Sequence, residues 1–184
     1  MLARIWTDPT SLDPARESAR VTREIAGRLA QVSRSLEKDY DPEEAALFLM
    51  RCIFCMFAED VDLLPRGGFT RLLEECLERP SALVPLLEEL WRKMDSAERG
   101  DRFFSYLCVE LRHFNGNLYR DARALPLRRE EIGELVAAAR HRWIDVDPAI
   151  FGALLEQALD PKERRRLGAH YTPRAYVQRL VDVA

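Results

Sequence analysis

Three of the five Asp-Pro pairs in this 184-residue chain stand before stretches whose apolar residues recur every three or four positions. That spacing is typical of amphipathic helices. In each pair the aspartate suits a helix N-cap and the proline suits the first helical position. These signals predict an all-α fold of about seven helices without a convincing strand. These three pairs are Asp13-Pro14, Asp41-Pro42 and Asp147-Pro148.

The apolar pattern places the helices in order along the chain. The first is predicted from Pro14 to about Leu36 and the second from Pro42 to about Asp60. The second is apolar all round, so we expect it to be the most buried. A short hairpin at Asn115-Gly116 stays open as an alternative to a loop. The other helices are predicted over 69–78, from an N-cap at Ser81 to Met94, and over 127–139, 148–159 and 175–184.

Composition excludes several classes of function. The formal net charge is -3, which argues against a free-standing electrostatic DNA-binding protein. No apolar run approaches the roughly 18 residues that a membrane-spanning helix needs, so no membrane partner is expected. Residues 1–12 lack the basic and then apolar pattern of a signal peptide, which predicts a cytoplasmic protein.

A Cys-x-x-Cys pair, Cys52 and Cys55, raises the question of a zinc or redox site. The pair lies in an almost wholly apolar stretch of helical length, 47–58, and no second pair or histidine follows at ligand spacing. Buried core thiols are therefore the favoured interpretation. No metal site is predicted, because the three histidines are scattered along the chain: His113, His141 and His170.

No complete catalytic constellation is present, so no catalytic residue is assigned. Glu59 and Asp60 form a carboxylate pair at the end of the second helix and could be half of a two-carboxylate site. A solvated or arginine-paired helix end is the favoured interpretation. Glycine-rich phosphate loops and nucleophile elbows are missing from the sequence.

Two basic stretches could contact phosphates. Arginines line one face of the first helix, but Glu17, Glu24 and Glu37 are interspersed, which favours a solvated face. The densest run, 162–166, is interpreted first as a solvated helix C-terminus, where cations offset the helix dipole. Three of its residues remain candidates for DNA contact: Arg164, Arg165 and Arg166.

A glycine-containing turn before the last predicted helix is a candidate binding element. Thr172 suits the N-cap and Pro173 the first helical position. Gly168 and Tyr171 just before them indicate a backbone that turns in close contact with a neighbouring group. Free N–H groups at a helix N-terminus form a ready anion site. The turn therefore predicts the first piece of a cofactor pocket.

These residues resemble a known family. The stretch 168–173, Gly-Ala-His-Tyr-Thr-Pro, resembles motif X of the amino-group DNA methyltransferases. The segment before it, 150–159, resembles MmeI-like (type IIL/IIG) enzymes and methyltransferases of phage-defence systems. Two further stretches, 51–60 taken with 63–65, and 114–119, resemble the helical spacer domain of that family. The resemblance runs from about Ser11 to the end, with Asn117 where the family more often has glycine.

The resemblance implies a helical spacer domain over 1–160 and the start of a Rossmann-like methyltransferase domain over 161–184. It implies a parent enzyme that uses S-adenosylmethionine to methylate the exocyclic amine of a flipped-out adenine in DNA. Thr172 would then lie near the methionine part of the cofactor. The other residues that would line that pocket are His170, Tyr171 and Pro173.

Several parts of such an enzyme are missing from the sequence: the glycine-rich motif I strand, the Asn/Asp-Pro-Pro-Tyr/Phe loop and a target-recognition domain. We therefore expect a fragment whose partners are DNA and those missing domains. On its own it should neither methylate DNA nor bind S-adenosylmethionine tightly. Two alternatives stay open: a stand-alone helical interaction domain, and a regulatory DNA-binding protein that uses the arginines of the first helix.

Overall fold

The computed structural model describes residues 14–114, 116–147 and 150. This part of the chain is mostly helical, which confirms the all-α prediction. The helices predicted over 148–159 and 175–184 lie outside it, apart from residue 150. The five α-helices of the described part are α1 (Pro14–Leu36), α2 (Pro42–Asp60), α3 (Gly68–Glu78), α4 (Leu83–Asp95) and α5 (Arg129–Ala139).

Helix α2 is the centre of the core, as its all-round apolar sequence predicts. Phe48, Leu49, Ile53 and Met56 are fully buried along its length. The Asp41 side chain accepts a hydrogen bond from the Glu43 N–H at 2.9 Å, so the Asp-Pro pair acts as the predicted helix start. Helices α1 and α3 both pack against α2.

Helix α5 packs against both α1 and α3 and so joins distant parts of the sequence. Its buried residues include Ile132 and Leu135. The Glu131 carboxylate accepts the Arg128 N–H at 2.6 Å at the helix start. Between α1 and α5, Arg28 and Glu134 form a half-buried ion pair at 3.0 Å. The order of helices along the chain therefore differs from their order in space.

The loop between α2 and α3 depends on two glycines. Gly67 has a φ of 64°, a left-handed conformation that glycine adopts without steric cost. Gly68 lies against Leu107, where an added Cβ would be 2.9 Å from Cδ1. A side chain at either position would strain the backbone or displace a neighbour.

The structure differs from the sequence analysis at the open hairpin alternative and at one helix start. The residues around Asn115-Gly116 form no strand in the described part; the two-stranded antiparallel hairpin instead pairs β1 (Phe103–Phe104) with β2 (Val109–Glu110). The turn that joins them ends at Cys108, whose φ of 52° reverses the chain direction. Ser81 is not an N-cap, because a short 3₁₀ turn, Pro80–Ala82, precedes α4, which begins without a side-chain cap.

Candidate functional site

The two stretches that resemble the family's spacer domain, although far apart in sequence, meet in the structure. Arg51 donates a hydrogen bond from Nε to the Leu118 carbonyl at 2.8 Å and from Nη1 to the Arg123 carbonyl at 3.2 Å. The segment after the hairpin is thereby bound to α2. We call this contact region the motif junction; its residues are Arg51, Phe54, Cys55, Phe114, Leu118 and Tyr119.

Arg51 is a buried cation, with 6% of its surface exposed. Burial lowers the pKa of its guanidinium, and the charge of Asp121 opposes that effect. The guanidinium carbon lies 5.6 Å from the centre of the Trp91 ring, within the range of a cation–π interaction. Backbone carbonyls and an aromatic face therefore compensate this charge. The Arg51 guanidinium therefore has a structural role, because these contacts fix its position.

Tyr119 completes the polar part of the motif junction. Its Oη donates to the Arg51 carbonyl at 3.3 Å and lies 3.4 Å from the Cys55 Sγ. Burial raises the pKa of Tyr119 well above its ordinary value. Burial also raises the pKa of Cys55 to about 12, although the Tyr119 hydroxyl lowers it in part. Both groups are therefore neutral at physiological pH and unsuited to nucleophilic catalysis.

Aromatic rings cover the polar centre of the motif junction. Phe54 and Phe114 meet edge to face at 5.5 Å between ring centres, and Tyr119 lies 6.0 Å and 6.1 Å from them. Such edge-to-face contacts stabilise beyond the area that they bury. A cavity of about 150 Å³, which Gly116 and Leu118 also line, lies beside the three rings. Its lining offers no acid or base for catalysis.

The interpretation of Cys52 and Cys55 as core thiols is confirmed. Both are buried and free, as is Cys76, whereas Cys108 is exposed. Burial raises the pKa of Cys52 well above its ordinary value. Within the described residues, no group of three or more histidine, cysteine, aspartate or glutamate side chains is placed to hold a metal ion.

The interpretation of Glu59 and Asp60 as a solvated or arginine-paired helix end is wrong. Glu59, 4% exposed, accepts hydrogen bonds from the N–H groups of Phe69 at 2.9 Å and Thr70 at 3.2 Å, and from the Thr70 hydroxyl. Asp60 accepts the N–H of Trp143. Both carboxylates therefore bind backbone N–H groups of other elements.

Glu59 supplies the cap that α3 lacks in its own sequence. Gly67 at the N-cap has no side chain, and the first N–H groups of a helix need acceptors. A Gly-Gly helix start was the sequence signal for an external cap, but the sequence could not show which carboxylate provides it. Burial raises the pKa of Glu59, and the bonds from Thr70 and Phe69 oppose that shift.

A second cavity, of about 230 Å³, opens at the start of α2. Four carboxylates and two guanidinium groups line it, so its charge is negative overall. Glu44 and Arg123 form an ion pair at 2.6 Å across it. The lining does not suit a phosphate group. Its charged residues are Asp41, Glu43, Glu44, Arg51, Asp121 and Arg123.

The basic face of α1 is solvated and ion-paired, as its mixed charges predicted. Arg20 contacts Glu17 at 2.6 Å. Arg28 contacts Glu24 at 3.3 Å in addition to Glu134 of α5. Neighbouring carboxylates therefore compensate these two arginines, which weakens the case for a phosphate-binding stripe.

The residues predicted to contact the cofactor and DNA lie outside the described residues, as does the predicted domain boundary at 160/161. They stay predictions: His170, Tyr171, Thr172 and Pro173 for S-adenosylmethionine, and Arg164, Arg165 and Arg166 for DNA. Among the helices that the structure describes, none is long and apolar enough to cross a membrane.

Residues 43–119 match a family model described as "MmeI, helicase spacer domain". This range contains all of α2 except its first residue, α3, α4 and every residue of the motif junction. The core of the described structure therefore resembles the spacer of MmeI-like enzymes, as the sequence motifs indicated.

Two individual proteins extend the similarity beyond this range. DNA methyltransferase A of Bacillus subtilis (strain 168) is 32% identical over 171 residues, which cover 85% of this chain. The solved structure of the Type IIL restriction-modification enzyme MmeI in complex with DNA matches 85% of the chain, with a TM-score of 0.63 and 26% identity. These similarities confirm the recognised resemblance to MmeI-like DNA methyltransferases. The chain spans 18% of the Bacillus protein and 22% of MmeI.

Proposed function

We propose that this chain is the helical spacer domain, with the first motif of the catalytic domain, of an adenine-N6 DNA methyltransferase of a restriction-modification or phage-defence system. One observation carries the proposal: the stretches that form the motif junction fall within the spacer match at 43–119. The parent enzyme would act on DNA in the cytoplasm with S-adenosylmethionine as methyl donor.

In this proposal the helical domain is a scaffold. Its polar interior groups bind backbone atoms: Arg51 holds two carbonyls, and Glu59 holds two N–H groups. Such contacts make a rigid support for the catalytic domain. Chemistry belongs to residues beyond this domain, because base flipping needs pocket contacts from an Asn/Asp-Pro-Pro-Tyr/Phe loop, a motif that the sequence does not contain.

The cofactor role falls to the turn at 168–173. A hydroxyl at Thr172 and free N–H groups at a helix N-terminus would favour the carboxylate of S-adenosylmethionine. His170, Tyr171 and Pro173 would line the same pocket. The motif alone supplies few contacts, so the 184-residue chain should show no micromolar binding of S-adenosylmethionine by calorimetry. Micromolar binding would contradict the proposal that most of the cofactor pocket lies in the rest of the parent enzyme.

The parent enzyme provides the test of the activity. It should transfer a tritiated methyl group from S-adenosylmethionine to duplex DNA, and mass spectrometry of the digested DNA should find N6-methyladenine. Thr172→Ala should raise the KM for S-adenosylmethionine about tenfold, since one charge-assisted hydrogen bond is lost, whereas Thr172→Ser should retain it. A methylated cytosine would contradict the adenine assignment, and no transfer would contradict the activity.

DNA contact is proposed for Arg164, Arg165 and Arg166. Each phosphate contact lowers the affinity as salt rises, with a slope of about -0.9 per contact in a log–log plot. Replacing all three by glutamine should therefore reduce the salt slope of the parent enzyme by about two to three. A matched triple replacement at Arg16, Arg20 and Arg23 of α1 should leave the slope unchanged. The opposite result would favour the regulatory DNA-binding alternative.

A further inference from the structure

We propose that Thr22 and Asp60 are positioning residues that set the path by which the chain leaves the helical domain towards the turn at 168–173. The inference rests on the proposed function, because it gives the spacer a defined effect on the cofactor site. The residues that hold this path form what we call the exit clamp: Thr22, Asp60, Trp143 and Asp147.

The first hold is at Trp143. Its backbone N–H donates to the Asp60 carboxylate at the end of α2, and its indole Nε1–H donates to the Ala138 carbonyl at 3.1 Å. The side chain is 1% exposed. Both N–H donors of a large buried residue thus have acceptors on two different helices. The start of the exit path cannot move without breaking a buried contact.

The second hold is at Asp147. Its backbone N–H donates to the Thr22 Oγ1 at 2.9 Å, a contact between residues 125 positions apart. The Ile150 N–H then donates to the Asp147 carbonyl at 3.1 Å. Val146 and Ile150 are buried at 7% and 5% exposure. The Thr22 hydrogen bond therefore attaches the path to α1, and the two apolar side chains beside it are buried in the core.

The chain is attached to the domain at both Trp143 and Asp147, so the direction of the segment between them is fixed. With one attachment the segment could rotate about it. Thr22 lies on α1, which α5 holds through the Arg28–Glu134 ion pair, and His141 lies 3.5 Å from Glu24 on the same helix. Asp60 lies on α2, the centre of the core. The chain is therefore attached to two helices of the buried core. Catalytic sites need such positioning, because small misplacements reduce rates strongly.

A spin-label distance tests the clamp in the 184-residue chain itself. Cys108 is exposed and takes one label, while the three buried cysteines stay unlabelled. Gln157→Cys takes the second label, at a polar position of the helix predicted over 148–159. We expect one narrow distance distribution, which Thr22→Val broadens because valine keeps the shape and removes the acceptor. Thr22→Ser should restore the narrow distribution.

Thr70→Val is the matched control. It removes a half-buried hydroxyl that binds Glu59, so it costs similar stability without touching the exit path. The clamp is contradicted if Thr70→Val broadens the distribution as much as Thr22→Val does. A broad distance distribution in the chain with Thr22 intact would also overturn the clamp. So would a distribution that stays narrow in Thr22→Val. Asp60→Ala, which removes the acceptor of the Trp143 N–H and is measured in the same way, covers the case in which Thr22→Val fails to fold.

The parent enzyme then tests the consequence. Thr22→Val should raise the KM for S-adenosylmethionine about fivefold with kcat little changed, since it displaces a binding element. Thr70→Val should leave both constants unchanged. If the parent methylates DNA but Thr22→Val has no effect on KM, the positioning inference fails and the proposed function stands. If the parent transfers no methyl group, the proposed function fails, and the spin-label distances still decide whether the clamp exists.

Discussion

Arg51 and Leu118 are 67 residues apart in sequence, yet the Arg51 Nε–H donates to the Leu118 carbonyl at 2.8 Å. The same guanidinium binds the Arg123 carbonyl. The segment between these two carbonyls belongs to neither a helix nor a strand of the described structure, so it has few backbone partners of its own. One buried side chain therefore supplies the hydrogen bonds that a regular element would otherwise provide.

Removing that side chain should be costly. Arg51→Met keeps much of the apolar volume but leaves two carbonyls without their donor. We expect the free energy of unfolding to fall by about 3 kcal/mol, because buried groups lose charge-assisted hydrogen bonds. Urea unfolding followed by circular dichroism measures the change. Arg34→Met, on the exposed face of α1, should change stability by less than about 0.5 kcal/mol. Equal effects of the two variants would contradict the structural role of Arg51.

Tyr119→Phe should have a smaller effect. It removes the hydroxyl that donates to the Arg51 carbonyl and keeps the edge-to-face contacts with Phe54 and Phe114. We expect a loss of about 1 kcal/mol in the free energy of unfolding, the usual value for one hydrogen bond. Tyr106→Phe is the control, because its hydroxyl binds Glu75 at the surface. A larger loss for Tyr106→Phe would contradict the importance of the buried bond.

Glu59 should give stability a defined pH dependence. Burial raises its pKa above the ordinary value of 4.5, so the folded state binds the proton more tightly than the unfolded state does. The stability that protonation contributes is therefore fully present below about pH 4.5 and is lost as the pH rises through the raised pKa. Urea unfolding between pH 4 and pH 8 gives the free energy of unfolding of the wild type minus that of Glu59→Gln. We expect this difference to fall as the pH rises, because only the wild type loses the proton. If the wild type instead gains stability relative to Glu59→Gln as the pH rises, the pKa of Glu59 is not raised.

The cysteines should differ sharply in reactivity. Burial raises the pKa of Cys76 to about 11 and that of Cys55 to about 12, and Cys52 shifts in the same direction. Cys108 is the exposed one. Mass spectrometry after iodoacetamide treatment at pH 8 should find one modification in the folded chain and four in urea. Labelling of Cys52 or Cys55 in the folded chain, or zinc retained after dialysis, would contradict the core role.

The sequence predicts the features that depend on neighbouring residues and misses those that depend on contacts between separate elements. The start and end of α2 follow from a local signal, an Asp-Pro pair before a continuous apolar stretch, and the structure places them where predicted. The roles of Glu59 and Asp60 do not follow, because their partners are backbone N–H groups of Phe69 and Trp143. A carboxylate at a helix end looks the same in sequence whether water or a distant helix satisfies it.

The hairpin shows the same limit. Asn115-Gly116 is the stronger local turn signal, yet the strands form at Phe103–Phe104 and Val109–Glu110. Phe104 is fully buried and β1 packs against α4, so tertiary packing decides which turn becomes a hairpin. Turn propensity alone gives no weight to what lies on the face of a strand.

The sequence by itself determined the five α-helices of the described part and the resemblance to a DNA methyltransferase family, because most helix starts, apolar spacing and short motifs are local patterns. The tertiary structure alone decided that Arg51 binds the segment around Leu118, that Glu59 caps α3, and that Thr22 and Asp60 accept backbone N–H groups after α5. Each of these contacts joins a side chain to a backbone group outside its own helix. Only the folded chain brings such pairs within hydrogen-bonding distance.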